Sequence, residues 1–179
     1  MSIDSVLTSI QSSAIAEWMR DTNPAMQIVE STHVLAAVLV LGTVLIADLR
    51  LLGIADSRRA FSHVGTETLR LTWVAFALAV VTGSLMFTTS AHTYFGNTAF
   101  QLKALALLAA GLNMVVFQLL TARGIAAWDL GTPPRAARIA GVLSLLLWAA
   151  VVLLGRWIGF TKGYDFTIPP GVDLGFPAP

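Results

Sequence analysis

Residues Val34–Ala47 read Val-Leu-Ala-Ala-Val-Leu-Val-Leu-Gly-Thr-Val-Leu-Ile-Ala, a run without a charged side chain. A transmembrane helix needs about 20 mostly apolar residues, and this run extends to about Pro24 on one side and Gly53 on the other. Three further apolar segments follow, at about Leu69–Thr89, Ala99–Ala122 and Ala136–Phe160. The sequence therefore predicts an all-α integral membrane protein, a bundle of four transmembrane helices.

The composition of the whole chain agrees with a membrane protein. Hydrophobic residues make up 56% of the 179 residues and charged residues 12%, about half of the roughly 25% that is usual in soluble domains. The net charge of +1 provides no field for nucleic acid. The lack of cysteine excludes disulfides, zinc–thiolate sites, iron–sulfur clusters and thiol catalysis. Since motifs for nucleotide binding and hydrolysis are also missing, we expect no catalytic activity of its own.

The two ends of the chain differ from the spans. In residues 1–22 apolar side chains recur at helical spacing, which predicts an amphipathic helix in the membrane interface; packing on a partner subunit is the alternative. Residues 162–179 contain four prolines and three glycines, which favour an extended tail. The four-helix transmembrane domain is thus expected to cover residues 23–161.

The C-terminal tail carries more apolar side chains than a solubilising end needs. Extended segments with spaced apolar anchors are typical of chains that dock on another protein. We therefore expect the tail to bind a partner subunit or a neighbouring copy at the outer surface, with Tyr164, Phe166 and Phe176 as anchors. The alternative is a tail that folds back over its own helix ends.

Positive charges are distributed unequally between the two sides of the predicted bundle. Seven Lys and Arg residues lie in or beside the two loops on one side, and four lie on the other. Lys and Arg accumulate in cytoplasmic loops. We therefore expect the loops around Arg58 and Arg123 to be cytoplasmic and both termini to face outward, into the periplasm if the cell is Gram-negative.

Ionisable side chains within a span are costly, so they pair inside the bundle or serve a function. Glu30 and Asp48 are 18 positions apart, five helical turns, and so share one inward stripe. Near the inner face, Asp48 is expected to form a structural ion pair with Arg70 or Arg138. Arg50 lies on another side of its helix and is expected to extend to the cytoplasmic headgroups.

A second polar cluster is predicted near the outer face, made of Glu30, His33, Lys103 and Arg156, with His92 in the loop above it. Haem b in a helical bundle is held by axial histidines and by Arg or Lys at its propionates. With His33 and His92 as ligands and the two cations at the propionates, the cluster fits such a site. Copper at His33, His92 and Met86 is a further alternative, since imidazole and thioether ligands suit copper. The structural alternative is a His33 ring bonded to Glu30 or to another helix, with His92 solvated.

Several short runs resemble an uncharacterised bacterial family of small four-span inner-membrane proteins. The resemblance covers about residues 25–160 and is carried by His33-Val34-Leu35, Asp48-Leu49-Arg50-Leu51-Leu52-Gly53, Gly83-Ser84-Leu85-Met86-Phe87, Ala99-Phe100-Gln101-Leu102-Lys103 and Gly155-Arg156-Trp157-Ile158. It implies bacterial origin and a multi-pass protein of the inner membrane. The family is loosely similar to copper-resistance D proteins and to membrane b-type cytochromes, which implies a metal or haem.

Two functions of different classes remain open at this stage. The first is a non-enzymatic membrane subunit that anchors or completes a larger assembly through its outer face and tail. Its partners would be the lipid bilayer together with other membrane or periplasmic subunits or further copies of itself. The second is a b-type haem or quinone-linked electron carrier that uses His33.

Overall fold

The computed structural model describes residues 2–22, 24–54 and 61–161, with the backbone alone for residues 61–67. Within these ranges the regular structure is helical throughout, and no β-strand is present. Four helices are long and apolar enough to cross a membrane. The predicted all-α fold with four transmembrane helices is therefore confirmed.

The helices are α1 (Ile3–Gln11), α2 (Ala14–Asp21), α3 (Ala25–Leu51), α4 (Phe61–Thr89), α5 (Ala91–Phe95), α6 (Thr98–Val116) and α7 (Arg135–Thr161). The spans are α3, α4, α6 and α7, and the apolar part of α4 is Thr68–Thr89. After α6 the chain continues as a π-helical turn, Phe117–Thr121, and a 3₁₀ helix, Ala122–Ala127. We call the end of the bundle that carries α1, α2 and α5 the outer end, following the predicted orientation, and the opposite end the inner end.

The N-terminal region forms two helices where the sequence predicts one. The Ser12 hydroxyl donates to the Thr8 carbonyl at 2.9 Å, and the Ser13 hydroxyl donates to the Ile10 carbonyl at 2.7 Å. The Ser13 oxygen also accepts a hydrogen bond from the Ala16 amide at 3.3 Å. Serine favours helix caps because its side chain replaces missing backbone partners, so this pair ends α1 and begins α2.

Both short helices lie across the outer end and remain amphipathic. Leu7 and Met19 are buried, whereas Ile15 and Trp18 are more than half exposed. Arg20 fixes α2 in place, since its guanidinium donates to the carbonyls of Gln11 and Thr89. The exposed apolar side chains suit helices in the membrane interface, and that location stays a prediction.

The α3 helix ends in a left-handed glycine. Gly53 has a φ of 76°, a conformation that costs glycine little because it has no Cβ. The Ile54 amide then donates to the Leu49 carbonyl, and the Gly53 amide to the Arg50 carbonyl. This hydrogen-bond pattern is a Schellman cap, and it ends α3 just beyond Asp48.

The four spans pack in the order α4, α3, α7, α6. At the outer end Phe87 of α4 stacks on Phe100 of α6, with ring centroids 5.5 Å apart. Away from these rings, the described parts of α4 and α6 share no packed face comparable to the other three seams. The bundle is therefore closed at its outer end and open along the α4–α6 edge.

Ionisable side chains occur only toward the ends of the spans. The intervals without one are 34–47 in α3, 71–91 in and just after α4, 104–122 in and just after α6, and 139–155 in α7. Polar groups between these ends are hydroxyls and amides, such as the Thr72 hydroxyl that donates to the Thr43 hydroxyl at 2.7 Å. The charged chemistry of the bundle is thus confined to an outer level and an inner level.

Candidate functional site

At the outer level, His33 of α3 faces α4 and is half-buried. Its Nδ1 lies 2.9 Å from the Ala79 carbonyl oxygen and 3.0 Å from the Thr82 hydroxyl oxygen. A carbonyl only accepts, so Nδ1 carries the proton and donates to it. The Thr82 hydroxyl in turn donates to the Leu78 carbonyl at 2.7 Å. When the ring is neutral its tautomer is therefore fixed, with Nε2 as the acceptor or ligand atom.

Two glycines make room for the polar side chains of the outer level. The His33 ring lies against Gly83 of α4, with Cε1 only 3.1 Å from the position of a Gly83 Cβ. The half-buried Lys103 of α6 lies against Gly155 of α7, with Nζ 3.6 Å from the position of that Cβ. The Lys103 charge acts electrostatically on His33. The structure thus places both side chains at the outer level, His33 against α4 and Lys103 against α7.

An aromatic cluster lies on the outer side of the level of His33 and Lys103. The ring centroids of Phe87 and Tyr94 are 6.2 Å apart, and those of Tyr94 and Phe100 are 5.7 Å apart. Phe87 lies one helical turn beyond Gly83, and Phe100 one turn before Lys103. The aromatic cluster, Phe87, Tyr94 and Phe100, therefore lies one turn nearer the outer end than Gly83 and Lys103.

The other two members of the predicted outer cluster lie at the surface. Glu30 acts electrostatically on His33, but its side chain is exposed. Arg156 is also exposed, and its guanidinium carbon lies 4.8 Å from the Phe160 ring centroid, a cation–π contact within α7. One residue is 100° of helix rotation, so Arg156 points away from α6 when Gly155 faces it. The structure does not bring Arg156 to His33.

His92 belongs to a different surface, formed by α1, α2 and α5. Its Nε2 lies 3.1 Å from the Thr8 hydroxyl oxygen, and its amide donates to the Gln11 side chain. The open cleft beside it has a volume of about 340 Å³ and is lined by Thr8, Gln11, Ser12, Glu17, Arg20 and His92. The predicted ligands His33 and His92 therefore have separate partners. Among the described side chains, no group of three or more His, Cys, Asp or Glu could hold a metal ion.

At the inner level, Asp48 is buried between α3 and α7, with 5% of its surface exposed. The Ser144 hydroxyl donates to its carboxyl group. The second oxygen, Oδ2, is buried and has no hydrogen-bond partner in the described part of the chain. Arg70 and Arg138 are exposed, and neither of the ion pairs predicted for Asp48 occurs among the described contacts. Both arginines can reach headgroups from the ends of their spans, which removes the need to pair inside.

Arg50 is the inner-level residue that the sequence reasoning placed wrongly. It is 2% exposed, and its Nη2 donates to the Asp129 carbonyl at 3.0 Å. The prediction that it extends to the headgroups is wrong, because the segment after α6 folds back beneath α3. That segment also brings Trp128 against Leu51 and Ala137. We call Leu51, Trp128, Ala137 and the Arg50–Asp129 contact the inner plug.

The remaining predicted residues lie outside the described ranges. They are the tail anchors Tyr164, Phe166 and Phe176 and the loop residue Arg58. The end of α7 is described, and there the Asn97 amide donates to the Thr161 hydroxyl at 2.9 Å. The tail therefore begins at the outer end, beside the start of α6.

A family model, that of the family of unknown function DUF6644, matches residues 25–161, and the chain belongs to this family. The match begins and ends with the four-span bundle. No curated protein and no solved structure matches the chain. The predicted membership of an uncharacterised family agrees with this result, whereas the looser similarity to copper-resistance D proteins and b-type cytochromes finds no support.

Proposed function

We propose that this member of DUF6644 is a non-enzymatic membrane subunit that completes a larger assembly in the bilayer. The observation that carries the proposal is a pair of exposed glycines in the middle of spans, Gly42 in α3 and Gly111 in α6. Nothing in the described part of the chain lies within 4 Å of where a Cβ on either glycine would be.

The two glycines lower helix stability, and in the described part of the chain no close packing contact compensates for this loss. A glycine in a helix interior is about 1 kcal/mol less favourable than alanine. In membranes, small residues on a helix surface let another helix approach closely. The open α4–α6 edge agrees with this interpretation, since only 6% of the most apolar stretch of α6 is buried, against 33% in α3. Helices of another protein or of a second copy of this chain would bury the exposed glycines and the open α4–α6 edge.

The outer end supplies a second docking surface in this proposal. Exposed apolar side chains, among them Ile15 and Trp18, project from the helices there, and α7 ends at the same end of the bundle with Thr161 beside Asn97. Spaced aromatic anchors in an extended segment suit binding to another protein. We propose that the tail, through Tyr164, Phe166 and Phe176, attaches the bundle to a partner at the outer face.

Native mass spectrometry of the protein extracted in lipid nanodiscs tests the first interface. Wild type is expected as an assembly, with itself or with a partner. Gly111→Leu should release the four-helix protein in folded form, whereas Val116→Leu, a change of an exposed residue about 140° around the same helix, should leave the assembly intact. A wild-type protein that is monomeric in native membranes would overturn the proposal.

Removal of residues 165–179 tests the second interface. The truncated protein should insert and fold but no longer co-purify with the assembly. Normal assembly of the truncated chain would show that the tail does not dock.

We keep a b-type haem or quinone-linked electron carrier as the second candidate, because of the hydrogen bond from His33 Nδ1 to the Ala79 carbonyl. Histidines that bind a metal commonly donate their other ring N–H to a carbonyl, which fixes the tautomer. Of the residues predicted for a bis-histidine site, His33 and Lys103 are half-buried whereas His92 and Arg156 are exposed, so the described residues would supply one axial ligand and one cation for a propionate.

The absorption spectrum of the purified protein separates the two candidates. A Soret band that shifts on reduction with dithionite and is lost in His33→Ala would establish the carrier. Colourless protein without metal in elemental analysis would eliminate haem and leave the assembly subunit.

A further inference from the structure

Asp48 presents a problem that the proposed function does not explain. It is a carboxyl group inside a transmembrane bundle, almost fully buried, with a buried oxygen that makes no hydrogen bond in the described part of the chain. Buried polar groups in folded proteins are nearly always hydrogen-bonded, and ionisable residues within membrane spans are usually functional. The orphaned Oδ2 atom therefore points to a ligand.

Among the described side chains, the groups that face Asp48 from the neighbouring helices are neutral. On α7 they are Gly141 and Ser144, and Ser144 donates the one described hydrogen bond. On the α4 side the polar groups packed against α3 nearest this level are hydroxyls, Thr72 bonded to Thr43.

The described arginines nearest to Asp48 are directed elsewhere. Arg70 and Arg138 are exposed on α4 and α7. Arg50, on α3 itself, donates to the Asp129 carbonyl. Among the described residues, an ionised Asp48 would therefore lie in a low-dielectric interior with a single neutral hydroxyl for compensation, which is strongly unfavourable.

Two ligands could neutralise a buried carboxylate, a metal cation or a proton. Hard cations need a shell of about six or more oxygens, usually with several carboxylates. The site offers one carboxyl group and one hydroxyl, and the described side chains contain no cluster that could hold a metal ion. A proton needs no coordination shell of oxygens. It is therefore the ligand that one carboxyl group and one hydroxyl can bind.

We propose that Asp48 is a proton-binding site, whose carboxyl group is held by Ser144 and carries a proton in the native protein at neutral pH. Asp48 lies one helical turn from the end of α3 and beside the inner plug. The proton is therefore exchanged with the inner side. The intervals free of ionisable residues separate the site from the outer level.

Infrared spectroscopy of the full-length protein in lipid nanodiscs tests the site, since a protonated carboxyl group has a C=O absorption that an ionised one lacks. At neutral pH, wild type should show this band and Asp48→Asn should not. Ser144→Ala should keep the band at a higher frequency, because a hydrogen bond to the carboxyl group is lost. Asp129→Asn, the matched control at the inner plug, should leave the band unchanged. A wild-type spectrum without the band overturns the proposal.

Two further measurements are needed. One applies if Asp48→Asn does not fold, and the other tests whether the carboxylate binds sodium instead of a proton. If Asp48→Asn does not fold, ¹³C-labelled aspartate in the wild-type chain should shift the band to lower frequency, and a band that stays in place overturns the proposal. Replacement of sodium by choline should leave the band unchanged. A band that grows when sodium is removed would mean that the carboxylate holds sodium instead.

Discussion

The imidazole of His33 occupies the space that a side chain on Gly83 would need, with Cε1 3.1 Å from the position of the missing Cβ. The same ring is held to α4 by its hydrogen bond to the Ala79 carbonyl. The α3–α4 seam therefore depends on a glycine and a histidine together, one by leaving room and the other by filling it.

Gly83→Ala should destabilise the bundle. The added methyl group is too close to the His33 ring, so the ring or the helix must move and the bond to Ala79 is strained. Overpacking of this kind costs about 1–3 kcal/mol, measurable as a lower melting temperature in detergent. Gly159→Ala in α7 is the control, because nothing in the described part of the chain lies within 4 Å of its Cβ position, and it should be neutral or slightly stabilising. Equal melting temperatures for the two variants would contradict the proposed seam.

Gly141→Ala, in the α3–α7 seam, should destabilise the bundle more than Gly155→Ala, in the α6–α7 seam. A Cβ on Gly141 would lie 3.2 Å from the Leu51 Cβ and 3.3 Å from the Asp48 carbonyl oxygen, whereas a Cβ on Gly155 would meet only the Lys103 side chain at 3.6 Å. Backbone atoms of a packed helix cannot move aside as a flexible side chain can. We expect a loss of about 1–3 kcal/mol for Gly141→Ala and little change for Gly155→Ala, both from thermal denaturation. The reverse order would refute this account of the seam.

Arg50→Leu should destabilise the inner plug. The change removes the donor to the Asp129 carbonyl, and an unsatisfied buried acceptor costs about 1–3 kcal/mol. Arg50→Lys should restore little, because an ammonium group does not reproduce the planar, multidentate guanidinium. Arg138→Leu, at an exposed position of the same level, should change stability by less than about 0.5 kcal/mol. Protease accessibility of the segment around Trp128 provides a second readout, and unchanged cleavage in Arg50→Leu would argue against the plug.

The orientation of the bundle can be tested with single cysteines, since the chain has none. Thr93 at the outer end and Gly131 at the inner end are both exposed. In spheroplasts, Thr93→Cys should react with a membrane-impermeant maleimide, and Gly131→Cys should react only after permeabilisation. Labelling of Gly131→Cys alone would reverse the predicted topology.

The spans could be predicted from the sequence because the thickness of the bilayer fixes the length of an apolar segment. The predicted limits of α3, from Pro24 to Gly53, differ from the observed ones by one or two residues at each end. The N-terminal break was missed, since it depends on two serine hydroxyls that turn to their own backbone rather than on apolar periodicity.

The site was harder to predict than the spans. His33 and Lys103 were identified as charged or polar groups in an apolar context. The partner of His33, however, is a backbone carbonyl. Since every residue has one, the sequence does not reveal which carbonyl accepts the hydrogen bond. The burial of Arg50 depends on Asp129, 79 positions along the chain. Helical geometry within α3 alone cannot reveal such a contact.

The confinement of charge to the two ends of the spans has an electrical consequence. Residues 34–47 of α3 cover about 21 Å at a rise of 1.5 Å per residue, and the other spans are neutral over the same depth or more. This neutral slab insulates like the lipid around it, so most of the membrane potential falls across it. Moving one elementary charge through the full potential is worth about 2.3 kcal/mol per 100 mV. Because Asp48 lies at the inner edge of the slab, a proton that reaches it from the inner side crosses little of that potential, and its occupancy should be almost independent of voltage.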